Sequence, residues 1–263
     1  MEMVKKGLTG FQLKVLGLVL MVFDHIAEFF LEMGAPFWFH WLGRLVAPIF
    51  LFTSSEGYIH TRNKKKYLFR LLVGFWIMNI GNYVVNRYVA EGIGIIFNNI
   101  FGTIFLGVLY MYLIDLFKAA WQKKQALSVL GTIILMVLPI GAGVLIMWLS
   151  EVNLLASNIL YLFVPTVLTT EGGFLLVVLA VLFYLFHGKK SLQVAALLII
   201  SALSYFSAGG NPFTENYQWM MGLASIPIIL YNGEKGRGMR NFFYYFYPAH
   251  IYVLFFIAHW LQK

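Results

Sequence analysis

Stretches of roughly 17 to 25 apolar residues, separated by short basic breaks, recur along the whole chain. Each stretch is long enough for one helix to cross a bilayer, and a chain buried in lipid must satisfy its backbone hydrogen bonds internally. Because 60% of the residues are hydrophobic and only 11% are charged, an ordinary water-soluble domain is excluded. The sequence therefore predicts an all-α fold, a polytopic transmembrane helical bundle.

The apolar stretches predict about nine spans, near 11–31, 39–59, 67–86, 95–117, 126–149, 172–187, 191–208, 217–231 and 242–261. Segment 153–170 is also apolar, but Pro165 interrupts it. Basic residues gather in cytoplasmic loops. If 153–170 does not cross, the Lys and Arg residues outside the spans lie on one side, except Arg87 and Lys263. We therefore expect a cytoplasmic N-terminus and a re-entrant or surface segment near 153–170.

No linker or repeat divides the chain, so we expect one integral-membrane domain over 1–263. The absence of cysteine excludes thiolate metal sites, disulfides and cysteine nucleophiles, and no metal cofactor is expected. The net charge of +8 is concentrated in the predicted inner loops, where topology requires it. The charge therefore indicates contact with membrane lipids and does not indicate a nucleic-acid partner.

Ionisable residues interrupt the first apolar stretch, "LKVLGLVLMVFDHIAEFF", at Asp24 and His25. A helix that enters near residue 12 places this pair about 18 Å deep, near the middle of the bilayer. Arg44 in the second stretch can reach a similar depth. We expect Asp24 and Arg44 to form an interhelical ion pair, because an unpaired charge is costly there. His25, about 100° from Asp24 around the helix, is the candidate for proton chemistry, oriented by a group on a neighbouring helix.

Lys14 and His25 are eleven residues apart, which places them on the same helix face with a rise of about 16 Å. A cation near the cytoplasmic boundary and an imidazole near the membrane centre suit a long anionic ligand that enters from the cytosol. Ordinary snorkelling of a lysine at a helix end is the alternative for Lys14.

Further polar residues extend this candidate site. Asn82, Asn98 and Asn99 lie in the outer halves of the third and fourth spans, where asparagines either join helices or polarise a carbonyl oxygen. His250 on the last span either lines the same cavity or makes a structural hydrogen bond. Two inner segments are suited to bind a phosphate or an anionic lipid headgroup: 60–70 is dense in cations, and 231–238 combines glycines with cations. Their candidate residues are Arg62, Lys64, Lys65, Lys235 and Arg237.

The chain resembles the TraX family of multi-spanning proteins, named for the F-pilin acetylase. The resemblance covers most of the chain and is carried by "LKVLGLVLMVFDHIA" at 13–27, "LGRLVAPIFLFTSSEGYIHTRNKKKYLFRLL" at 42–72, "NNIFGTIFLGVL" at 98–109, "YNGEKGRG" at 231–238 and "FFYYFYPAHIYVL" at 242–254. The family is similar in turn to a superfamily of membrane acyltransferases that includes the acyltransferase-3 family and heparan-glucosaminide acetyltransferase. In the sugar-acylating branch a basic residue, usually Arg, precedes an essential His on the first helix at the spacing of Lys14 and His25. Lys in place of Arg keeps the charge but loses the bidentate fork for phosphate.

The resemblance implies an acetyltransferase of the bacterial inner (cytoplasmic) membrane that uses acetyl-CoA as its acyl donor. His25 would be the general base, Asp24 and Arg44 its supporting ion pair, and one of Asn82, Asn98 and Asn99 an oxyanion or orienting group. Acyl-CoA would contact Lys14, Arg62, Lys64, Lys65, Lys235, Arg237 and His250. The acceptor would be an amine or hydroxyl, with the N-terminal amine of a pilin-like peptide as the first candidate and a glycan hydroxyl as an alternative.

Two other classes of protein would also bury ionisable residues. A proton-coupled transporter usually carries inverted repeats and paired broken helices, and no repeat is visible in this sequence. A non-catalytic membrane assembly protein would use the same residues for structure alone.

Overall fold

Helices make up the secondary structure of this chain, as the sequence predicts. The computed structural model describes residues 6–89, 95–97, 99–238 and 240–262, and within these ranges it contains no β-strand, only an isolated bridge between Leu8 and Tyr231. The all-α prediction is confirmed. The helices are α1 (Gly10–Phe30), α2 (Phe39–Gly43), α3 (Val46–His60), α4 (Lys64–Tyr88), α5 (Ile100–Gln122), α6 (Ala126–Val152), α7 (Leu154–Phe163), α8 (Gly173–Leu185), α9 (Lys190–Ser207), α10 (Ser225–Ile229) and α11 (Arg240–Leu261), with 3₁₀ segments at Leu31–Met33 and Tyr217–Ala224.

Contacts divide the described chain into two compact units. The first, here the histidine unit, contains the described residues up to Thr53 and those from Phe186 onward. The second, the aspartate unit, contains Ser54 to Val89 and Ile95 to Leu185. The expectation of one domain over 1–263 stays a prediction.

Four of the described helices, α4, α5, α6 and α9, are long and apolar enough to cross a membrane. Helices α7 and α8 are apolar but shorter. At ten residues α7 is about 15 Å long, about half the thickness of a hydrocarbon core, so it does not cross by itself. The count of nine spans and the cytoplasmic N-terminus stay predictions.

The predicted helix over 39–59 is wrong, because the structure divides it into α2 and α3 around Arg44 and Leu45. Pro48 gives the physical reason: it has no N–H to donate to the carbonyl of Arg44, and its ring crowds that carbonyl. At the break itself, the backbone N–H groups of Arg44 and Leu45 bond to carbonyls three residues earlier, at 3.3 and 3.2 Å, as in a 3₁₀ turn.

The predicted helix over 217–231 also differs, since the structure forms an eight-residue 3₁₀ segment followed by the five-residue α10. Pro227 cannot donate to the carbonyl of Leu223, which removes one α-helical bond at the junction. The 3₁₀ segment packs against α9, where the Ser201 hydroxyl donates to the carbonyl of Trp219. A 3₁₀ helix of eight residues is uncommon, and here it is packed against another helix.

The first turn of α1 is tied to the segment before α11. Thr9 and Gln12 form a capping box, in which the Gln12 N–H donates to the Thr9 hydroxyl at 3.3 Å. The N–H groups of Gly10 and Phe11 donate to the carbonyls of Glu234 and Lys235, at 2.7 and 3.0 Å. These contacts satisfy donors that a helix start leaves unpaired, and they bring Lys235 to the cytoplasmic end predicted for α1.

A carboxylate cluster joins four helices of the aspartate unit. Asp115 on α5 accepts hydrogen bonds from Tyr58 on α3 at 2.5 Å, from Lys64 on α4 and from Tyr184 on α8. The Lys64 ammonium also lies 4.3 Å from the centroid of the Tyr58 ring. Lys64, a candidate for phosphate binding, therefore has an ion-pair partner within its own unit.

Replacing Asp115 with Asn is expected to lower the free energy of unfolding by about 1–2 kcal/mol, because three donors lose a charged acceptor. The expected loss is small because the Lys64 and Asp115 side chains are about one third exposed, so water screens their ion pair. The melting temperature of the purified protein in detergent measures the loss. Glu151→Gln, an exposed carboxylate in the last turn of α6, is the matched control. Equal melting temperatures for the two variants would contradict a stabilising cluster.

Candidate functional site

His25 lies in the histidine unit, on the face of α1 that packs against α11. The two helices run in the same direction, since Phe11 contacts Phe243 near their starts and Phe29 contacts Phe255 further along. Only 4% of His25 is exposed to solvent. Its Nδ1 atom lies 2.9 Å from the carbonyl oxygen of Met21, one turn earlier on the same helix.

His250 on α11 is the neighbouring-helix partner of His25. Its Nε2 atom lies 3.1 Å from Nδ1 of His25, and its Nδ1 atom lies 2.9 Å from the carbonyl oxygen of Phe246. The two rings meet edge to face, with centroids 4.9 Å apart. The structure thus places a candidate for acyl-CoA contact directly against the candidate base.

The acceptors around the two rings assign their tautomers. The carbonyl of Phe246 can only accept, so His250 carries its proton on Nδ1 and presents a lone pair at Nε2. Nδ1 of His25 faces that lone pair and the carbonyl of Met21, so it must carry the proton of the neutral ring. Nε2 of neutral His25 is therefore the basic nitrogen.

Glu28 marks the direction in which this basic nitrogen points. Its Oε2 atom lies 3.7 Å from Nε2 of His25, three residues further along α1, and its side chain is 31% exposed. The basic nitrogen thus faces the side of α1 that carries a partly exposed carboxylate. A substrate that approaches along Glu28 would meet Nε2 first.

The predicted ion pair between Asp24 and Arg44 is confirmed. Nη2 of Arg44 donates to both carboxylate oxygens of Asp24, at 3.1 and 3.0 Å. Nδ1 of His40 lies 3.2 Å from Asp24 Oδ1. Asp24 thus bonds to the α2 region while His25 bonds to α11, which agrees with their predicted separation around α1.

Arg44 is surrounded by further partners. Nε donates to the carbonyl of His40 at 3.2 Å and Nη1 donates to the side-chain oxygen of Gln218 at 3.1 Å. The guanidinium also lies over the ring of Tyr217, 5.4 Å from its centroid. These contacts hold α1, α2 and the second 3₁₀ segment together, so the pair has a structural role whatever its part in chemistry.

Gly43 allows Asp24 to approach the backbone of α2. A Cβ atom at Gly43 would lie 2.0 Å from the Asp24 carboxyl carbon, a distance that no pair of nonbonded atoms tolerates. The ion pair therefore depends on a residue without a side chain at this position.

Lys14 shares the α11-facing side of α1 with His25, as helix geometry predicts. Its ammonium lies 5.7 Å from the centroid of the Phe243 ring, at the start of α11. In segment 231–238 the N–H groups of Asn232 and Glu234 already bond to protein oxygens, which removes them from a phosphate site; Lys235 and Arg237 are exposed. Binding of acyl-CoA by Lys14, Lys235 and Arg237 stays a prediction.

The remaining candidates belong to the aspartate unit. Arg62 and Lys65 are exposed, and Asn82 is buried. Asn99 is also buried and donates to the side-chain oxygen of Asn79 at 2.5 Å and to the carbonyl of Phe75 at 3.1 Å, which joins α4 to the start of α5. Asn98 lies outside the described residues. An oxyanion role for these asparagines stays a prediction.

Sequence reasoning missed His40, Tyr217 and Gln218. His40 had a local signal, because it precedes Arg44 by four residues and such a pair shares one helix face. Tyr217 and Gln218 follow Arg44 by more than 170 residues and had no pattern to connect them to it. Their contact depends on the packing of the second 3₁₀ segment against α2.

The fold and this site together define a class, an all-α membrane protein with a buried histidine pair beside a separate interhelical ion pair. Comparison with known protein families identifies the family within this class. The profile described as TraX protein matches residues 9–258, so the chain belongs to the TraX family.

One relative is a probable fimbrial assembly protein, FimC of serogroup H1, from Dichelobacter nodosus. It is 43% identical over 68 residues, which are 24% of this chain and 27% of the relative. The match thus spans about a quarter of the relative's length. No solved structure matches the chain significantly.

Proposed function

We propose that this TraX-family protein is a membrane acetyltransferase with His25 as its general base. The observation that carries the proposal is the placement of the two ring nitrogens of His25. Nδ1 lies against the carbonyl of Met21 and Nε2 of His250, which assigns it the proton, and Nε2 lies 3.7 Å from the partly exposed carboxylate of Glu28. A general base must present a lone pair where the proton of the nucleophile arrives. His25 meets this requirement in its neutral form.

In the proposed reaction Nε2 of His25 removes a proton from an acceptor amine or hydroxyl. The acceptor nitrogen or oxygen attacks the acetyl carbonyl carbon, a new C–N or C–O bond forms, and the C–S bond of acetyl-CoA breaks. The CoA thiolate then takes the proton from His25 and leaves as the thiol. Direct transfer is favoured because the chain has no cysteine to form an acyl-enzyme.

Acetyl-CoA enters from the cytoplasmic side in this proposal, with its phosphates near Lys14 and Lys235. Both cations lie by the start of α1, and a rise of about 16 Å along the helix separates Lys14 from His25. That separation suits a donor whose reactive thioester is far from its nucleotide phosphates. Arg237 adds a further exposed cation to the same segment.

The acceptor is proposed to be an amine of a pilin-like peptide, in a bacterial inner membrane. The name of the Dichelobacter nodosus relative, a fimbrial assembly protein, supports a surface-fibre context. A glycan hydroxyl is the alternative acceptor, since the same base accepts either proton. The same name favours a second candidate function, a non-catalytic role in fimbrial assembly.

Acetyl-CoA at about 100 times its dissociation constant is expected to stabilise the purified protein by about 2.7 kcal/mol, because a ligand that binds only the folded state shifts the folding equilibrium toward that state by mass action. The rise in melting temperature measures this effect. The double variant Lys14→Gln/Lys235→Gln should reduce the rise, whereas Lys123→Gln, an exposed lysine at the end of α5, should not.

A transporter or an assembly protein has no reason to respond to acetyl-CoA. Absence of a thermal shift, together with absence of acetylated peptide by mass spectrometry in proteoliposomes, would contradict the proposed activity. Acetyl transfer to peptide but not to glycan would decide between the two acceptors.

A further inference from the structure

We infer that His250 is a positioning residue that shares the catalytic proton with His25. This inference rests on the proposed function of His25. When Nε2 of His25 takes a proton from the acceptor, the proton on Nδ1 of His25 moves along its hydrogen bond to Nε2 of His250. The positive charge is then distributed over two rings.

Burial creates the need for such a partner. His25 is 4% exposed and His250 is 8% exposed, so an imidazolium confined to His25 would form in a poorly solvated place. Asp24, the neighbouring carboxylate in sequence, is partly buried, but Arg44 and His40 already bond to it. Glu28 lies at the Nε2 end of the His25 ring, where the amine or hydroxyl that receives the acetyl group must enter. The Nδ1 end therefore needs its own proton acceptor.

His250 is held in the orientation that this role requires. Its Nδ1–H bonds to the carbonyl of Phe246, and its ring stacks on the ring of Phe246 with centroids 5.1 Å apart and planes 11° from parallel. Tyr247 contacts the ring from another side, at 5.8 Å between centroids. The lone pair of Nε2 is thus aimed at His25 before any substrate binds.

The two acceptors near Nδ1 of His25 differ in chemistry. The carbonyl of Met21 can accept a hydrogen bond, but it is too weak a base to take the proton. An imidazole nitrogen belongs to the same chemical class as the group that loses the proton, so it is basic enough to accept that proton. In the catalytic triad a carboxylate occupies this position and stabilises the imidazolium without being protonated. Here a neutral imidazole supplies the lone pair.

The proton balance closes over one turnover. One proton enters at Nε2 of His25 and one moves from Nδ1 of His25 to Nε2 of His250. When the C–S bond breaks, His25 gives its Nε2 proton to the CoA thiolate and His250 returns the shared proton to Nδ1. No oxidant, metal or further reactant takes part.

The test compares His250→Gln with His250→Phe in proteoliposomes that contain acetyl-CoA and a peptide with a free N-terminal amine. Gln keeps a hydrogen-bond acceptor but cannot take the proton, and Phe keeps the ring shape alone. Both variants should lower kcat by about 10²-fold, the lower end of what a positioned proton acceptor contributes. KM for acetyl-CoA should stay unchanged if His250 acts through His25, whereas a direct contact between His250 and acyl-CoA would raise it. His259→Gln, on the same helix, is the matched control and should retain wild-type kcat.

A second measurement does not depend on turnover. In protein labelled with ¹⁵N-histidine, wild type and His259→Gln should show a coupling across the N–H···N bond between the two rings, and His250→Gln should lose it. Absence of this coupling in wild type would overturn the inference even if the variants do not fold.

The kinetic outcomes separate this inference from the proposed function. Full wild-type kcat in His250→Gln would show that His250 only accepts a hydrogen bond, and would overturn proton sharing while the general base stands. No acetyl transfer by wild type would overturn the proposed function, and the inference with it.

Discussion

Replacing His25 with Asn is expected to reduce acetyl transfer by about 10²- to 10⁴-fold, the range that a general base contributes. The Asn amide N–H can occupy the position of Nδ1 and donate to Met21 or His250, so the packing of α1 against α11 should persist. What the variant lacks is the basic nitrogen near Glu28. The expected pattern is a large loss in kcat with little change in the thermal shift produced by acetyl-CoA.

The measurement is the rate of acetyl-peptide formation at saturating acetyl-CoA. His60→Asn, an exposed histidine that ends α3, serves as the control and should keep its rate. Persistence of rapid transfer in His25→Asn would rule out His25 as the base. Loss of both transfer and the thermal shift would indicate instead that the variant damages the donor site.

Breaking the ion pair between Asp24 and Arg44 is expected to cause the largest loss of stability. Asp24→Asn or Arg44→Gln should each lower the free energy of unfolding by about 3 kcal/mol, because each leaves a poorly solvated charge without its partner. Asp24 and Arg44 are 17% and 26% exposed, so water screens them only in part. The double variant should lose less than the sum of the two single losses, since neither charge remains.

Thermal unfolding of the four proteins in detergent completes a double-mutant cycle, with an expected coupling of about 0.5–3 kcal/mol for residues in contact. Glu32→Gln, an exposed carboxylate in the 3₁₀ segment after α1, is the control and should melt like wild type. Additive losses in the double variant would mean that the two residues act separately. Retention of acetyl transfer in the folded double variant would limit the pair to structure.

Much of the site on α1 was predictable because it depends on one helix and on the cost of buried charge. A regular helix requires Lys14 and His25 to share a face, and both contact α11. Asp24 and Arg44 were expected to pair because isolated charges are unstable in an apolar environment. The break at Pro48 also had a local cause, and a stricter use of proline rules would have predicted it.

The partners supplied by distant parts of the chain were not predictable. Lys64 was expected to contact acyl-CoA, and that stays a prediction. Its ammonium donates to the carboxylate of Asp115, 51 residues away, and no local pattern indicated this contact. One of Asn82, Asn98 and Asn99 was expected to be an oxyanion or orienting group, and that stays a prediction. The neighbouring-helix partner that the structure shows for His25 is His250. Each of these contacts depends on which helix faces become neighbours, and no periodicity within a helix contains that information.

The sequence by itself determined the all-α membrane fold, the shared face of Lys14 and His25 and the pairing of Asp24 with Arg44. Each follows from short-range geometry or from the cost of placing polar groups in an apolar phase. Only the tertiary structure decided that His25 meets His250, 225 residues later, and that the basic nitrogen of His25 points toward Glu28. The physical reason is that packing of α1 against α11 orients both rings, and packing is a property of two helices together.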